Sequence, residues 1–329
     1  MTRQSIAIVG AGLAGLACAG RLTAAGCRVR VFDKARGPGG RLASRRVTLC
    51  DGREVRFDHG AQHITARDPG FANLCAGLER QGAAASFPWP VFGGPRDSDA
   101  PGERRYVGAP GMNAIAKALA DPRALSCGRQ VIALTESSIG WRLTFDDGSS
   151  ETGFTAVIVA TPAEQAASLV APLSPVLARE ARAARTAPCW AGLFVFEGGG
   201  EPAFGALHPG LGGPLAWLAR TGDGQGWVAH ASAAWSRLNL EAPPEVIVPA
   251  LESAVRRLLP DVGATLSAQA HRWRYAQVEV PAASPYGWDP DLRLGVCGDW
   301  RLGPQAEDAW RSGDLLGAAL AGANTAARA

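Results

Sequence analysis

The stretch Ile6-Ala-Ile-Val-Gly10-Ala11-Gly12-Leu13-Ala14-Gly15 constrains the fold more than any other part of the chain. An apolar run of strand character leads into G-x-G-x-x-G, and Leu16 to Ala24 continue as a helix. Gly10 permits the tight strand-to-helix turn, Gly12 lets the backbone approach a pyrophosphate, and Gly15 lets helix and strand pack closely. The helix then directs its free N–H groups and positive dipole end at the phosphates. A second apolar strand, Val29-Arg-Val-Phe-Asp33, ends in a carboxylate placed to accept hydrogen bonds from an adenosine ribose. A βαβ unit that binds a dinucleotide opens the chain. The alternative, a secretory apolar segment from Ile6 to Gly20 between Arg3 and Arg21, runs against the glycine spacing and the position of Asp33.

A few residues past Asp33 comes a second glycine run, Arg36-Gly-Pro-Gly-Gly40-Arg41. It is close enough to wrap the same pyrophosphate with backbone N–H groups and the forked Arg41 guanidinium. Nicotinamide dehydrogenases usually run from the acidic residue into another helix, whereas this turn is characteristic of FAD-binding proteins. Near the other end, Leu292-Arg-Leu-Gly-Val-Cys-Gly298-Asp299 reads as a buried strand closed by a Gly-Asp turn, a second sign of FAD. There Asp299 can hold ribityl hydroxyls while the Gly298 backbone nears the phosphates. The helix starting near Gln305-Ala306 aims its positive end at the flavin N1 and O2 region. Asp58-His59-Gly60-Ala61-Gln62 is a polar turn whose backbone can face the ring, although a lone His59 is no catalytic argument.

The chain's 329 residues leave room for about two domains. Its +3 charge is carried almost wholly by arginine with no dense basic run, which argues against nucleic acid as a partner. Seven scattered cysteines without a C-x-x-C pair fit reduced thiols in a cytoplasmic protein and no metal site. No apolar run reaches the roughly 20 residues that span a bilayer, so a soluble protein without membrane association is expected.

The pattern resolves into an α/β chain. A Rossmann-type FAD-binding domain is expected from residues 1–70, 104–175 and 285–329, with a substrate domain of antiparallel sheet and helix from 71–103 and 176–284. Phe71 to Gln81 and Asn113 to Ala120 read as helices, and the Pro/Gly-rich tract from Phe87 to Gly102 as irregular or lid-like. Gln130 to Leu134 and Trp141 to Phe145 read as paired strands, and Phe154 to Ala160 as one buried strand ended by Pro162. The second domain holds strand-like segments at Trp190 to Phe196, Leu215 to Leu218, Trp227 to Ala231 and Ala270 to Glu279, with a helix over Pro244 to Leu259. Strand alternation in His271-Arg-Trp-Arg-Tyr275 puts His271, Trp273 and Tyr275 on one face. No nucleophile elbow, no zinc motif and no convincing acid/base pair is present, which suits a cofactor that does the hard chemistry.

Five blocks together resemble the bacterial renalase-like branch of the FAD-dependent amine oxidase superfamily. They are Gly37 to Arg46, Asp58 to Phe71, Tyr106 to Met112, His271 to Ala276, and Gly298-Asp299-Trp300. The resemblance implies non-covalent FAD held by Gly10, Ala11, Gly12, Leu13, Ala14, Gly15, Asp33, Lys34, Gly40, Arg41, the His59-Gly60-Ala61-Gln62 turn, Val131 through its backbone, and Asp299. It implies oxidation of dihydronicotinamide dinucleotides reduced at the 2 or 6 position, with hydride passing to flavin N5 and electrons on to oxygen as hydrogen peroxide. Such a substrate becomes an aromatic pyridinium and needs no base. Departures occur at His63-Ile64, where an aromatic pair is usual, and at Leu42 and Ser44. Ile64, Tyr106, Trp190 and Trp288 are the candidate substrate contacts. An amine oxidase on the same scaffold and a non-catalytic flavin-binding regulatory protein are the competing readings.

Overall fold

The computed structural model describes residues 4–93, 104–198, 202, 204–210, 212–282 and 284–326. At its centre lies a six-stranded sheet in the order Gly287–Asp289, Leu294–Val296, Ala156–Val159, Ser5–Val9, Arg28–Asp33, Leu125–Cys127. All neighbours run parallel except the first pair. Ile6, Ala7, Ile8 and Val9 are all buried because both faces of the sheet are covered, which is why their run does not alternate.

One face carries the helix Leu13–Ala24 and the C-terminal helix Ala306–Ala326. They approach so closely that a Cβ on Gly313 would stand 1.9 Å from the Ala14 carbonyl oxygen. Arg21 and Asp314 pair across the contact at 2.5 Å. The other face is covered by a meander of Val131–Ser137, Gly140–Phe145 and Ser150–Phe154, whose Trp141, Leu143 and Phe145 pack on Phe32, Val157 and Val159. The expected pairing of the first two of these strands is present, in antiparallel register. Phe154, expected at the start of a central strand, instead ends the meander, and the buried strand proper begins at Ala156. A break at Thr155 separates two adjacent apolar segments that read as one. After Pro162 the alanine-rich sequence, unassigned from pattern alone, forms the helices Ala163–Val170 and Pro175–Ala183.

The second sheet follows the order Thr265–Val280, Arg185–Phe196, Trp227–Ala231, Leu215–Arg220, Ala206–Leu207, Val91–Phe92. Alternation along Arg185–Phe196 sends Trp190 and Phe194 toward the helix Pro244–Leu258, where they meet Ile247, Leu251 and Val255. Leu193 and Val195 face the other way, onto the hairpin Ser44–Thr48 and Glu54–Asp58 through Val47, Val55 and Phe57. The first residues of the Pro/Gly tract supply the edge strand Val91–Phe92, and positions 94–102 of that tract lie outside the described residues. A small third sheet sets Arg104–Gly108 between Ile64–Ala66 and Ala84–Ser86, beside the helix Pro69–Arg80. Domain boundaries at 70 and 104 would divide that sheet. Among the described residues no helix is long and apolar enough to cross a membrane.

Candidate functional site

A cleft of about 2220 Å³ runs between the C-terminal edge of the central sheet and the second sheet. Its floor is the first glycine turn. Gly10 has a φ of 111°, and a Cβ there would stand 2.6 Å from the Ala160 carbonyl oxygen. A Cβ on Gly15 would lie 2.0 Å from the Gly10 carbonyl oxygen, so this glycine serves packing. Gly12 differs: nothing stands within 4 Å of its missing Cβ, which faces open cleft at the start of the Leu13–Ala24 helix.

The second glycine run closes over the first. Gly39 N–H donates to the Ala11 carbonyl at 2.9 Å, and a Cβ on Gly40 would meet only the Gly12 Cα, at 3.6 Å. Asp33 is oriented by two backbone donors, Ala11 N–H to Oδ2 at 2.7 Å and Ala35 N–H to Oδ1 at 2.8 Å. Thr161 Oγ1 and Glu164 Oε2 are buried without a hydrogen-bond partner, and both residues line the cleft. A cradle of glycine backbone, a helix N-terminus, a held carboxylate and orphaned polar atoms fits a bound dinucleotide.

The His59–Gln62 turn bridges this cradle to the second sheet. Ala61 N–H donates to the Arg41 carbonyl at 2.9 Å, and a Cβ on Gly60 would fall 2.0 Å from the same oxygen. The His59 carbonyl accepts from Trp273 Nε1 at 2.9 Å and from His230 Nε2 at 3.2 Å. Trp217 Nε1 donates to Gln62 Oε1 at 2.7 Å. Asp58 braces the turn from behind, accepting from Ser44 Oγ and from Met112 N–H. Burial raises its carboxyl above the ordinary range, against the hydrogen bonds from Ser44 and Met112.

Arg41 meets Asp299, 258 positions away, in a bidentate pair with both N···O distances 2.6 Å. Burial pulls the guanidinium down, but Asp299 outweighs it and the net shift is upward. The two ends of the chain that sequence reading linked only by motif therefore touch, and the fork expected on phosphate is turned to a carboxylate. Of the expected cofactor residues, Gly10, Gly12, Leu13, Ala14, Asp33, Lys34, Gly40, Arg41, His59 to Gln62, Val131, Gly298, Asp299, Gln305 and Ala306 line the cleft. Ala11 and Gly15 lie behind the wall, and the Ala11 N–H is committed to Asp33.

None of the four expected substrate contacts, Ile64, Tyr106, Trp190 and Trp288, is among the residues lining the cleft. Ile64 and Tyr106, each 2% exposed, sit in register and turn together into a core with Phe71 and Met112. Trp190 is also 2% exposed and packs under the Pro244–Leu258 helix, its indole N–H satisfied by the Asn239 carbonyl at 2.9 Å. Trp288 packs in the core between the central sheet and the C-terminal helix. Large apolar area drew Ile64, Tyr106 and Trp190 fully inward, and left Trp288 partly buried against the core.

The cleft wall carries residues that were not named as substrate contacts, beside the expected turn residue His59. The chain has five histidines, and all of them line this cleft, together with Trp217, Trp273 and Tyr275. His59 stacks on Trp273 at 5.2 Å, with His271 edge-on at 4.7 Å. His63 lies 5.0 Å from Phe87 and 5.6 Å from Trp217. The scarcity of histidine, with His271 already on the face shared by Trp273 and Tyr275, is the signal that would have pointed there. Burial, reinforced by His271 and Arg45, pushes His59 down to about 3. Burial likewise takes His63, His230 and His271 to about 4. These imidazoles are uncharged at neutral pH and act as polarisable, apolar-faced walls.

A depressed histidine pKa carries a definite stability consequence. Below about 6.5 the unfolded chain takes up protons that the folded chain refuses until pH about 4, so stability falls as pH drops through that window. Thermal melts from pH 7 to pH 4.5 are expected to show a smaller loss in His230→Gln than in wild type. Equal losses would mean that His230 titrates normally in the folded protein.

Among the described residues no cluster of three or more His, Cys, Asp or Glu side chains could hold a metal ion. Residues 8–78 match the NAD(P)-binding Rossmann-like domain, and residues 99–328 match the flavin-containing amine oxidoreductase family. Among solved structures, one with the provisional name protoporphyrinogen oxidase, from Exiguobacterium sp. 255-15, is similar with a TM-score of 0.74 at 10% identity. The match covers 98% of this chain and 99% of that one, and at such low identity it speaks for the fold. The chain belongs to the flavin-containing amine oxidoreductase family, an FAD-dependent oxidoreductase whose Rossmann-like unit is joined to an amine-oxidase domain.

Proposed function

We propose that this protein is an oxidase of dihydronicotinamide dinucleotides reduced at the 2 or 6 position. It returns NAD(P)+ and passes the electrons to oxygen as hydrogen peroxide. Bound in the cleft, FAD supplies the hydride acceptor. We assign its pyrophosphate to Gly12, Gly40 and the start of the Leu13–Ala24 helix, its adenosine to Asp33, Lys34 and Val131, and its ring to His59 through Gln62, Gln305 and Ala306. Seven scattered cysteines without a C-x-x-C pair are consistent with a cytoplasmic setting.

The observation that carries the reading is the chemistry of the wall. Neutral imidazoles and the indoles of Trp217 and Trp273 offer flat faces to a flat, uncharged dihydropyridine, while arginines nearby suit an anionic tail. Among the described residues the cleft's carboxylates are Asp33, Glu164 and Asp299, and Asp299 is engaged by Arg41. A protonated amine would find no carboxylate beside the histidines. Loss of hydride from the proposed substrate creates an aromatic cation without removal of a proton, so orientation and exclusion of water are what the side chains must provide. Trp217 and Trp273 do this while holding the turn through their N–H groups.

Anaerobic mixing with dihydronicotinamide dinucleotide isomers made by borohydride reduction is expected to bleach the flavin within the mixing experiment, and a panel of primary and secondary amines is expected not to. Bleaching by an amine, with the isomers inert, would assign the protein to the amine oxidases instead. A flavin reduced by neither would favour a non-catalytic role.

A further inference from the structure

The cationic side chains around the cleft divide by whether a carboxylate already answers them. Arg41 has Asp299, Arg46 has Glu54 at 3.6 Å, and Arg129 has Asp147 at 3.4 Å. Arg272 and Arg274 share Glu241 at 3.1 and 2.6 Å. Arg45 is different. It projects from the Ser44–Thr48 strand, is partly buried, lines the cleft, and has no carboxylate within ion-pair distance among the described residues. Its polar contacts are two neutral atoms, Gln269 Oε1 and His271 Nδ1, both at 3.4 Å. Contacts that long are readily exchanged for better ones. With Arg45 donating to Nδ1, the neutral His271 ring carries its proton on Nε2, a second donor at the same end of the cleft.

A guanidinium held partly out of water without a counter-charge is costly unless something supplies one. Its neighbours cannot: His59 and His271 are uncharged, and protonating either beside Arg45 is unfavourable. An oxyanion fits the fork bidentately. We propose that Arg45 binds a phosphate oxygen of the dinucleotide substrate and is the residue that selects for a phosphorylated substrate over the bare dihydropyridine. The proposal rests on the functional reading above. Arg45 acts on binding, at a position apart from the glycine cradle that serves the cofactor.

The test uses the FAD-loaded protein and two ligands, ADP-ribose, which carries the pyrophosphate but cannot be oxidised, and an N-methyl dihydronicotinamide isomer, which lacks phosphate. Binding of ADP-ribose by calorimetry is expected to weaken about tenfold or more in Arg45→Gln, equivalent to about 1.4 kcal/mol. The ratio of the two ligands' dissociation constants is expected to shift by that factor. Arg45→Lys should recover part of it, since it restores charge without the fork. Equal weakening of both ligands would assign Arg45 to structure, and unchanged ADP-ribose binding would remove it from the phosphate site. Capture of a porphyrin carboxylate through Arg45 with no binding of ADP-ribose would also overturn the assignment. If no dihydronicotinamide reduces the wild-type flavin, the functional reading fails, yet ADP-ribose lost on Arg45→Gln would still establish the oxyanion site.

Discussion

Gly12→Ala is expected to weaken FAD at least about tenfold while leaving the melting temperature of the apoprotein within about 2 °C of wild type. The separation of the two effects follows from geometry. Gly12 has φ −73° and ψ 176°, a conformation open to alanine, and nothing of the protein stands within 4 Å of the added Cβ. The cost therefore falls on whatever occupies the cleft above it. Gly15→Ala is expected to behave in the opposite way. Alanine would favour the helix by about 1 kcal/mol, but its Cβ would stand 2.0 Å from the Gly10 carbonyl oxygen, a backbone atom that cannot swing aside. Overpacking of this kind costs about 1–3 kcal/mol or more and outweighs the propensity gain. Apoprotein melting and FAD titration of both variants distinguish the roles. Unaltered FAD affinity in Gly12→Ala would show that the pyrophosphate does not cross that residue.

These two glycines also show what kind of information the sequence carries. Spacing encodes backbone events, because a turn or a close helix approach permits only glycine at its tightest point. Gly10, Gly12, Gly15 and the Gly39-Gly40 turn were thus readable as a cradle, and the structure brings the two runs into contact through Gly39 and Ala11. The Gly298-Asp299 end was readable as a second part of the same site, and Asp299 reaches Arg41.

Side-chain direction was far less legible where packing decides it. Trp190 and Trp217 both belong to the second sheet, yet one faces the Pro244–Leu258 helix and the other the cleft. Which face of a strand looks into a cleft depends on where the helix lies, and that is a tertiary fact. Ile64 and Tyr106 were drawn inward for the same reason, because Arg104–Gly108 pairs between two strands and presents Tyr106 to a core. The histidines were individually uninformative, and their meaning comes from convergence: residues 59 and 63 from one turn, with 208, 230 and 271 from three other segments, meet on one wall. Periodicity gave the order within His271 to Tyr275 but not the partner, His59, on which Trp273 stacks.

The other large effect is expected at the Arg41–Asp299 pair. The Asp299 side chain is 5% exposed and that of Arg41 32%, so removing the arginine strands a buried carboxylate whose bidentate partner is gone. Arg41→Met is accordingly expected to destabilise the apoprotein by about 3 kcal/mol. Arg41→Met combined with Asp299→Asn should recover much of that loss, since the uncompensated charge is then removed as well. The pair also joins the turn after the second strand of the central sheet to the turn after Leu294–Val296, so its loss loosens both sides of the cleft. FAD affinity should fall in each single variant and should not return with stability in the double variant, because neither methionine nor asparagine replaces the lost charges. Urea unfolding of the apoproteins, followed by FAD titration, measures the two quantities separately. A loss below about 1 kcal/mol in Arg41→Met, with no recovery in the double variant, would mean that water takes the place of Arg41 at Asp299 and that the pair is not an anchor.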